Sequence, residues 1–231
     1  MIDPDRLRAA LEEERERLDA AAERGGRPAG SVEIVLAAKY VPPSDAGALV
    51  AAGVRVVGEN RLQDLEARRA VVGDDLTYDF IGHLQRRKVR SVLPLVRLVH
   101  TLDSARLAEE IQARASGPTR LLIEVNVAGE ETKCGIVPRS LEAFIDGVSH
   151  LDRVVVGGLM ALPPAVTDPE HSRPHFAAVR ELAERLRPRW AGRHDLRDLS
   201  MGTSQDAVIA AEEGATLVRI GRSLVDRGRV S

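Results

Sequence analysis

The chain has 231 residues, with 33 basic against 35 acidic side chains and a formal charge of −2. That balance, with only three Phe, two Tyr and one Trp, excludes a general nucleic-acid binder, which needs a basic excess for phosphates and rings for bases. With 44% apolar residues the chain can bury a full core, and its single Cys134 excludes an internal disulfide or a cysteine-only zinc site. No apolar run approaches the roughly 20 residues that cross a bilayer, and the charged start, Met1–Ala10, lacks a signal-peptide core, so a cytoplasmic protein is expected.

Asp3 can cap a first helix that has Pro4 at its first position, and Leu7, Ala10, Leu11 and Leu18 recur at helical spacing through about Glu23. After Gly25-Gly26, Val32–Ala38 is a nearly continuous apolar run of strand length, and a helical segment follows Pro43. Val54–Val57, Tyr78–Ile81 and Leu98–Leu102 read as the next strands, with helices over Arg61–Val71, from Leu84 and from Ser104. Leu121–Val127, Val154–Leu162, Leu196–Met201 and Leu217–Ile220 complete eight, separated by helices over Arg139–Val148, Pro169–Leu186 and Ser204–Glu213. Eight apolar strands alternating with amphipathic helices predict one domain over 1–231, a (β/α)8 TIM barrel with an extra N-terminal helix. Only about ten residues follow the eighth strand, so the N-terminal helix is expected to fill that gap in the outer ring.

In such barrels the active site lies at the C-terminal strand ends. Those ends carry Lys39, Gly58-Glu59-Asn60, Gly82-His83, Asp103-Ser104, Asn126, Met160, Ser200-Met201-Gly202 and Arg219-Ile220-Gly221. Lys39 is the most informative of them. Thirty of the 33 basic residues are arginine and three are lysine, yet a lysine ends the apolar first strand. A lysine desolvated there loses its proton more readily and can form an imine with a carbonyl compound, which arginine cannot. Ser200-Met201-Gly202-Thr203-Ser204 and Arg219-Ile220-Gly221-Arg222-Ser223 leave strands seven and eight, where phosphate sites recur in this fold. An imine lysine and a phosphate pocket on one mouth suggest pyridoxal 5′-phosphate (PLP).

Leu36-Ala37-Ala38-Lys39, Gly58-Glu59-Asn60-Arg61, Phe80-Ile81-Gly82-His83-Leu84-Gln85, Glu124-Val125-Asn126-Val127, Lys133-Cys134-Gly135-Ile136, Gly158-Leu159-Met160, Leu199-Ser200-Met201-Gly202 and Val218-Arg219-Ile220-Gly221 follow one another along most of the chain. In order and spacing they resemble the YggS/PROSC family of PLP homeostasis proteins, which are similar in fold to the barrel domain of alanine racemase. The resemblance implies a protein that stores or delivers PLP, held as a Schiff base on Lys39, for apo forms of PLP-dependent enzymes. It implies Ser200, with Gly202 beside it, and the backbone around Gly221 and Arg222 as the phosphate cradle. It also implies Arg219 at the pyridine nitrogen and Asn60, Met160 and His83 around the cofactor, although His83 could equally cap the next helix. Ala38 stands where the family usually has serine. Arg222 stands where a small hydroxyl residue is common, so Ser223 or Thr203 would have to supply that hydroxyl.

A carrier without catalytic residues is expected over a racemase, because two-base racemisation needs a second acid/base on the opposite face of the cofactor. In an extended strand Tyr40 would point away from Lys39, and Tyr78 begins its strand at the far end of the barrel. The second domain that supplies the racemases' partner base is expected to be absent. A weak PLP enzyme, or a lysine-imine aldolase acting on a phosphorylated substrate, is the alternative. Arg86-Arg87-Lys88-Val89-Arg90 reads as a solvated helix face, and Lys133 either closes over the mouth or is an ordinary loop lysine. Cys134 reads as a small loop residue. His171 and His175 have metal-ligand spacing but no third ligand, so no metal is expected, and a monomer is the default.

Overall fold

The computed structural model describes residues 1–129, 134–164 and 166–229, so Lys133 lies outside the described residues. Helix α1, Pro4–Arg24, is capped by Asp3, whose side chain accepts from the amides of Asp5 and Arg6. Eight strands follow: β1 Glu33–Ala37, β2 Val56–Glu59, β3 Thr77–Phe80, β4 Leu98–Leu102, β5 Thr119–Val125, β6 Val154–Ala161, β7 Asp198–Thr203 and β8 Leu217–Ile220. Each pairs in parallel with the next and β8 pairs with β1, closing a (β/α)8 barrel. Between and after them run α2 Ala46–Ala51, α3 Leu62–Val72, α4 Val89–Val92, α5 Ala105–Arg114, α6 Leu141–Val148, α7 Arg173–Leu186, α8 Ala207–Glu212 and α9 Arg222–Arg227.

The larger core lies between the sheet and its helices, whereas a small cluster of strand residues fills the barrel: Val35, Val56, Leu98, Leu122, Met160 and Leu217. As expected, α1 completes the ring, packing on α2, α8 and α9. Arg24 pairs with Glu212 at 2.8 Å, the Asp3 amide donates to the Gly228 carbonyl at 2.8 Å, and Leu7 sits against Gly228, where a Cβ would come within 3.0 Å.

The expected helix from Leu84 is the main departure. Gln85 is extended, only a 3-10 turn over Arg86–Lys88 and the four-residue α4 form, and a 3-10 turn over Leu93–Leu95 with Pro94 inside it follows. Its predecessor Gly82 is crowded: a Cβ would stand 2.5 Å from the Asn60 carbonyl oxygen. The first strand is also shorter than expected, ending at Ala37, after which Ala38–Tyr40 wind into a 3-10 turn that carries Lys39.

That turn is held from the outside by one arginine. Arg68 of α3 donates to Glu59 Oε1 at the end of β2 (2.6 Å), and to the carbonyls of Val41 at 2.8 Å and Ala38 at 3.3 Å, on either side of Lys39. Arg68 and Glu59 are each only 1% exposed. Burial raises the Glu59 carboxyl above its ordinary value, against the opposing hydrogen bond and charge of Arg68. Removing one partner of such a pair strands the other charge in a dry site. Arg68→Met is therefore expected to lower unfolding free energy by about 3–5 kcal/mol, measured by urea denaturation. Adding Glu59→Gln to it should recover part of the loss.

Candidate functional site

A cavity of about 640 Å³ opens at the C-terminal ends of β7, β8, β1 and β2. Among the described residues, its cations are Lys39, Arg219 and Arg222, its hydroxyl-bearing residues Thr203, Ser204, Ser223 and Tyr40, and its one carboxylate Asp226. Asn60, Ile81, Leu162 and Gly221 complete most of the wall. A site with three cations against one carboxylate favours an anionic ligand, and its size is that of a small-molecule pocket.

Lys39 lies in this cavity, but not desolvated as the strand-end reading expects, because β1 ends two residues earlier and the side chain is exposed. The same turn overturns the expected placing of Tyr40. Three residues per turn replace strand alternation, so Tyr40 shares the cavity with Lys39 instead of pointing away. Lys39 Nζ stands 5.0 Å from the Tyr40 ring centroid and the Arg222 guanidinium 5.1 Å from it, both within cation–π range. Gly221 makes room for this ring: a Cβ there would lie 3.0 Å from Tyr40 Cδ2 and Cε2. Tyr78, as expected, stays remote, its hydroxyl reaching the Gly73 carbonyl at 3.4 Å.

Asn60, Arg219, Gly221 and Arg222 also come to the cavity; Ser200, Gly202, Met160 and His83 do not line it. Met160 belongs to the cluster inside the barrel. Gly202 adopts φ 91° and packs against α8, where a Cβ would meet Ala210 Cβ at 2.5 Å. His83 is 58% exposed and pairs with Asp103 at 3.1 Å. Ser200 is fully buried, and Thr203, Ser204 and Ser223 bring the hydroxyls to the cavity in its place.

The Ser200 hydroxyl belongs to a chain of polar groups through the barrel interior. Arg219, 7% exposed, donates from Nη1 to the Ser200 carbonyl at 2.8 Å and also to its hydroxyl, and from Nη2 to the Ala161 carbonyl at 2.9 Å. Ser200 Oγ lies 2.9 Å from His100 Nδ1, and His100 Nε2 lies 3.1 Å from Asp79 Oδ2. Arg97 grips the same carboxylate with two bonds of 2.8 and 3.0 Å, and reaches Glu33 at 2.8 Å.

The directions follow from the donors. Arg219 can only donate, so Ser200 accepts from it and gives its own proton to His100 Nδ1. Nδ1 is then unprotonated, and Nε2–H donates to Asp79. Burial holds His100 below its ordinary pKa, with the Arg219 and Arg97 charges adding to the effect against Asp79, so the ring is neutral at pH 7. Burial pushes the Asp79 carboxyl up, but hydrogen bonds and charge from His100 and Arg97 bring it below the usual aspartate value. Desolvation lowers Arg219 to about 10, which leaves it cationic.

Sequence reading missed Tyr40 as a cavity residue, and Arg68, Asp79 and His100 altogether. The available signal was an ionisable residue inside a mostly buried strand: Asp79 in β3 and His100 in β4.

His100 has a folded pKa below its unfolded value of about 6.5, so its contribution to stability is complete above that pH and is lost as pH falls through it. His194, likewise held down by burial, loses stability in the same direction. Gln can donate to Asp79 and accept from Ser200 without titrating. His100→Gln is expected to remove about one proton's share, up to about 1.4 kcal/mol per pH unit, of the stability slope below pH 6.5, read from urea midpoints between pH 7 and 5.

Residues 43–226 match the model of the alanine racemase N-terminal domain. A relative from Aquifex aeolicus, named pyridoxal phosphate homeostasis protein, is 42% identical over 213 residues, covering 90% of this chain and 92% of its own. Among solved structures, PipY of Synechococcus elongatus with PLP bound superimposes with a TM-score of 0.77 at 31% identity, covering 89% of this chain and 99% of that one. Alanine racemase from Corynebacterium glutamicum shares the fold at 14% identity and a TM-score of 0.70, over 97% of this chain and 61% of its own. With this closed barrel and the cavity at its mouth, the chain belongs to the alanine racemase N-terminal domain family, in its branch of pyridoxal phosphate homeostasis proteins.

Proposed function

We propose that residues 1–231 form one cytoplasmic, monomeric domain that binds PLP at the β7–β8–β1–β2 cavity, joined to Lys39 by a Schiff base, and stores or delivers it without catalysing a reaction. The observation that carries this reading is a reachable amine, Lys39, in a cavity of phosphate-compatible donors. The cofactor supplies an aldehyde for that amine and a phosphate for the cations and hydroxyls. The names of the relatives and the PLP in PipY support the assignment.

The residues present fit the group. Lys39 would hold the aldehyde carbon. Thr203, Ser204 and Ser223, with the backbone amides at Gly221 and Arg222, would hold the phosphate, so these hydroxyls take the part that the resemblance assigns to Ser200. Thr203 donates its amide and hydroxyl to Asp206 Oδ1 at 2.7 and 3.1 Å, so its hydroxyl would have to turn from that carboxylate to donate to the phosphate. Arg219 would meet the ring nitrogen with N–H groups only, which keeps that nitrogen unprotonated and weakens the ring as an electron sink. Ser200 acts one step behind, fixing the guanidinium. Met160 supports from inside the barrel.

Tyr40 does not turn the site into a two-base racemase. It shares one turn and one wall with Lys39, whereas racemisation needs proton donors on opposite faces. The outer surface supports a monomer, because the exposed large apolar side chains among the described residues, Met1, Val71 and Leu162, are scattered, and Leu162 lines the cavity. No helix among the described residues is long and apolar enough to cross a membrane, and the exposed free thiol of Cys134 suits a reducing compartment.

Borohydride treatment of the PLP-incubated protein is expected to fix the cofactor on the Lys39 peptide, as seen by mass spectrometry. Lys39→Arg, which keeps the charge but cannot form the linkage, should abolish trapping. A colourless protein with no labelled peptide would refute the cofactor assignment and favour the aldolase. Steady conversion of alanine by loaded protein, lost in Lys39→Arg, would refute the carrier role.

A further inference from the structure

We propose that His83, Asp103 and Cys134 form a binding site for a zinc-class divalent cation, on the arc of the mouth opposite the cofactor cavity. Their ligand atoms, an imidazole nitrogen, a carboxylate oxygen and a thiol sulfur, all lie within 4.8 Å of one another. The three residues follow three successive strands, β3, β4 and β5, whereas the cavity is lined mainly from the ends of β7, β8, β1 and β2. Ile81 after β3 and Leu162 after β6 stand at its edges, and none of the three ligands is in its wall. This site stands independently of the PLP assignment.

The backbone on which each ligand sits is fixed. Next to His83, the Gly82 carbonyl accepts from Thr101 Oγ1 of β4 at 2.6 Å, and the crowded approach of Gly82 to Asn60 leaves that residue no room to shift. Asp103 lies between β4 and Ser104, whose side chain caps α5, and its own side chain is only 12% exposed. After Cys134 the chain is zipped onto β5. The Ile136 amide donates to the Glu124 carbonyl at 2.7 Å, and the Asn126 amide donates back to the Ile136 carbonyl at 3.1 Å. Gly135 allows this approach at φ 106°, where a Cβ would stand 2.9 Å from the Glu124 oxygen. The thiol is therefore delivered to the histidine by a locked segment.

The donor set selects the metal. Thiolate and imidazole together favour zinc over magnesium or calcium, and one carboxylate completes a three-residue set that leaves a fourth position for water. Tetrahedral zinc bonds place ligand atoms about 3.3–3.6 Å apart. His83 and Asp103 already stand 3.1 Å apart, and the exposed side chains of His83 and Cys134 can rotate to close the remaining gap. Binding releases the thiol proton to solvent, and thiolate plus carboxylate then balance the two positive charges of the ion. Glu124, close enough to feel the charges of Asp103 and His83, adds a second carboxyl behind the set.

The test uses the full chain stripped with a chelator and titrated with Zn²⁺ or Co²⁺. One equivalent is expected to bind, and the cobalt form should show a near-ultraviolet thiolate-to-cobalt band that is absent from Cys134→Ser. Cys134→Ser and His83→Ala should each weaken Zn²⁺ binding by roughly 100-fold, and Asp103→Asn by about tenfold. Circular dichroism checks that each variant is folded. Absence of stoichiometric binding, or binding as tight in Cys134→Ser as in the parent chain, would overturn the proposal. So would binding lost only on replacing His171 and His175.

Discussion

The floor of the mouth is a buried cation, and much of the barrel interior is arranged to keep it there. A guanidinium removed from water is tolerated only when its donors are met by acceptors of fixed position. Arg219 finds them in the Ala161 carbonyl of β6 and in the carbonyl and hydroxyl of Ser200 on β7. Because the hydroxyl is committed in both directions, His100 and Asp79 must follow in one protonation state, and the chain ends at Arg97 and Glu33 near the opposite rim. Six strands, β1, β3, β4, β6, β7 and β8, are thereby tied through one connected set of hydrogen bonds and ion pairs. The usual apolar filling of such barrels is reduced here to one small cluster beneath it.

A second arginine does the equivalent work outside the barrel wall. Arg68 ties α3 to β2 and to the carbonyls flanking Lys39, so the turn that presents the amine is set by a side chain far along the sequence. The planar fork explains why arginine serves here: it meets several acceptors at once without losing its charge, which an ammonium does less well. The uneven basic composition thus divides by chemistry. Arg68 and Arg219 brace, and the cavity's lysine is left exposed beside the Tyr40 ring.

Much of the architecture was readable from periodicity. Alternation of apolar runs with amphipathic segments located eight βα units, and the shortness of the segment after the eighth strand anticipated the place of α1 in the outer ring. What failed were inferences about direction. Ser200 looked like a ligand-facing hydroxyl because it is polar and near a strand end. Register turns it toward the barrel interior, since it pairs with Met160 and Leu217, whose side chains lie there. Lys39 and Tyr40 were read as one extended strand, but β1 stops at Ala37 and the following turn puts both on one wall. The clamps of Arg68 and His100 join residues from separate units, which local spacing does not reveal.

The way the ring closes also governs when the fold can form. Strand β1 pairs with β8, and α1 packs against α8 and α9, with Ile2 bridged to Arg229. These are among the contacts of longest sequence separation that a chain of this length can make, and such contacts slow folding. During synthesis the apolar stripe of α1, with Leu7, Leu11 and Leu18, emerges long before its partners on α8 and α9 at residues 207–227. The eight βα units between must be made before that part of the stripe is covered, which leaves α1 exposed to chaperones or to unwanted association in the interval.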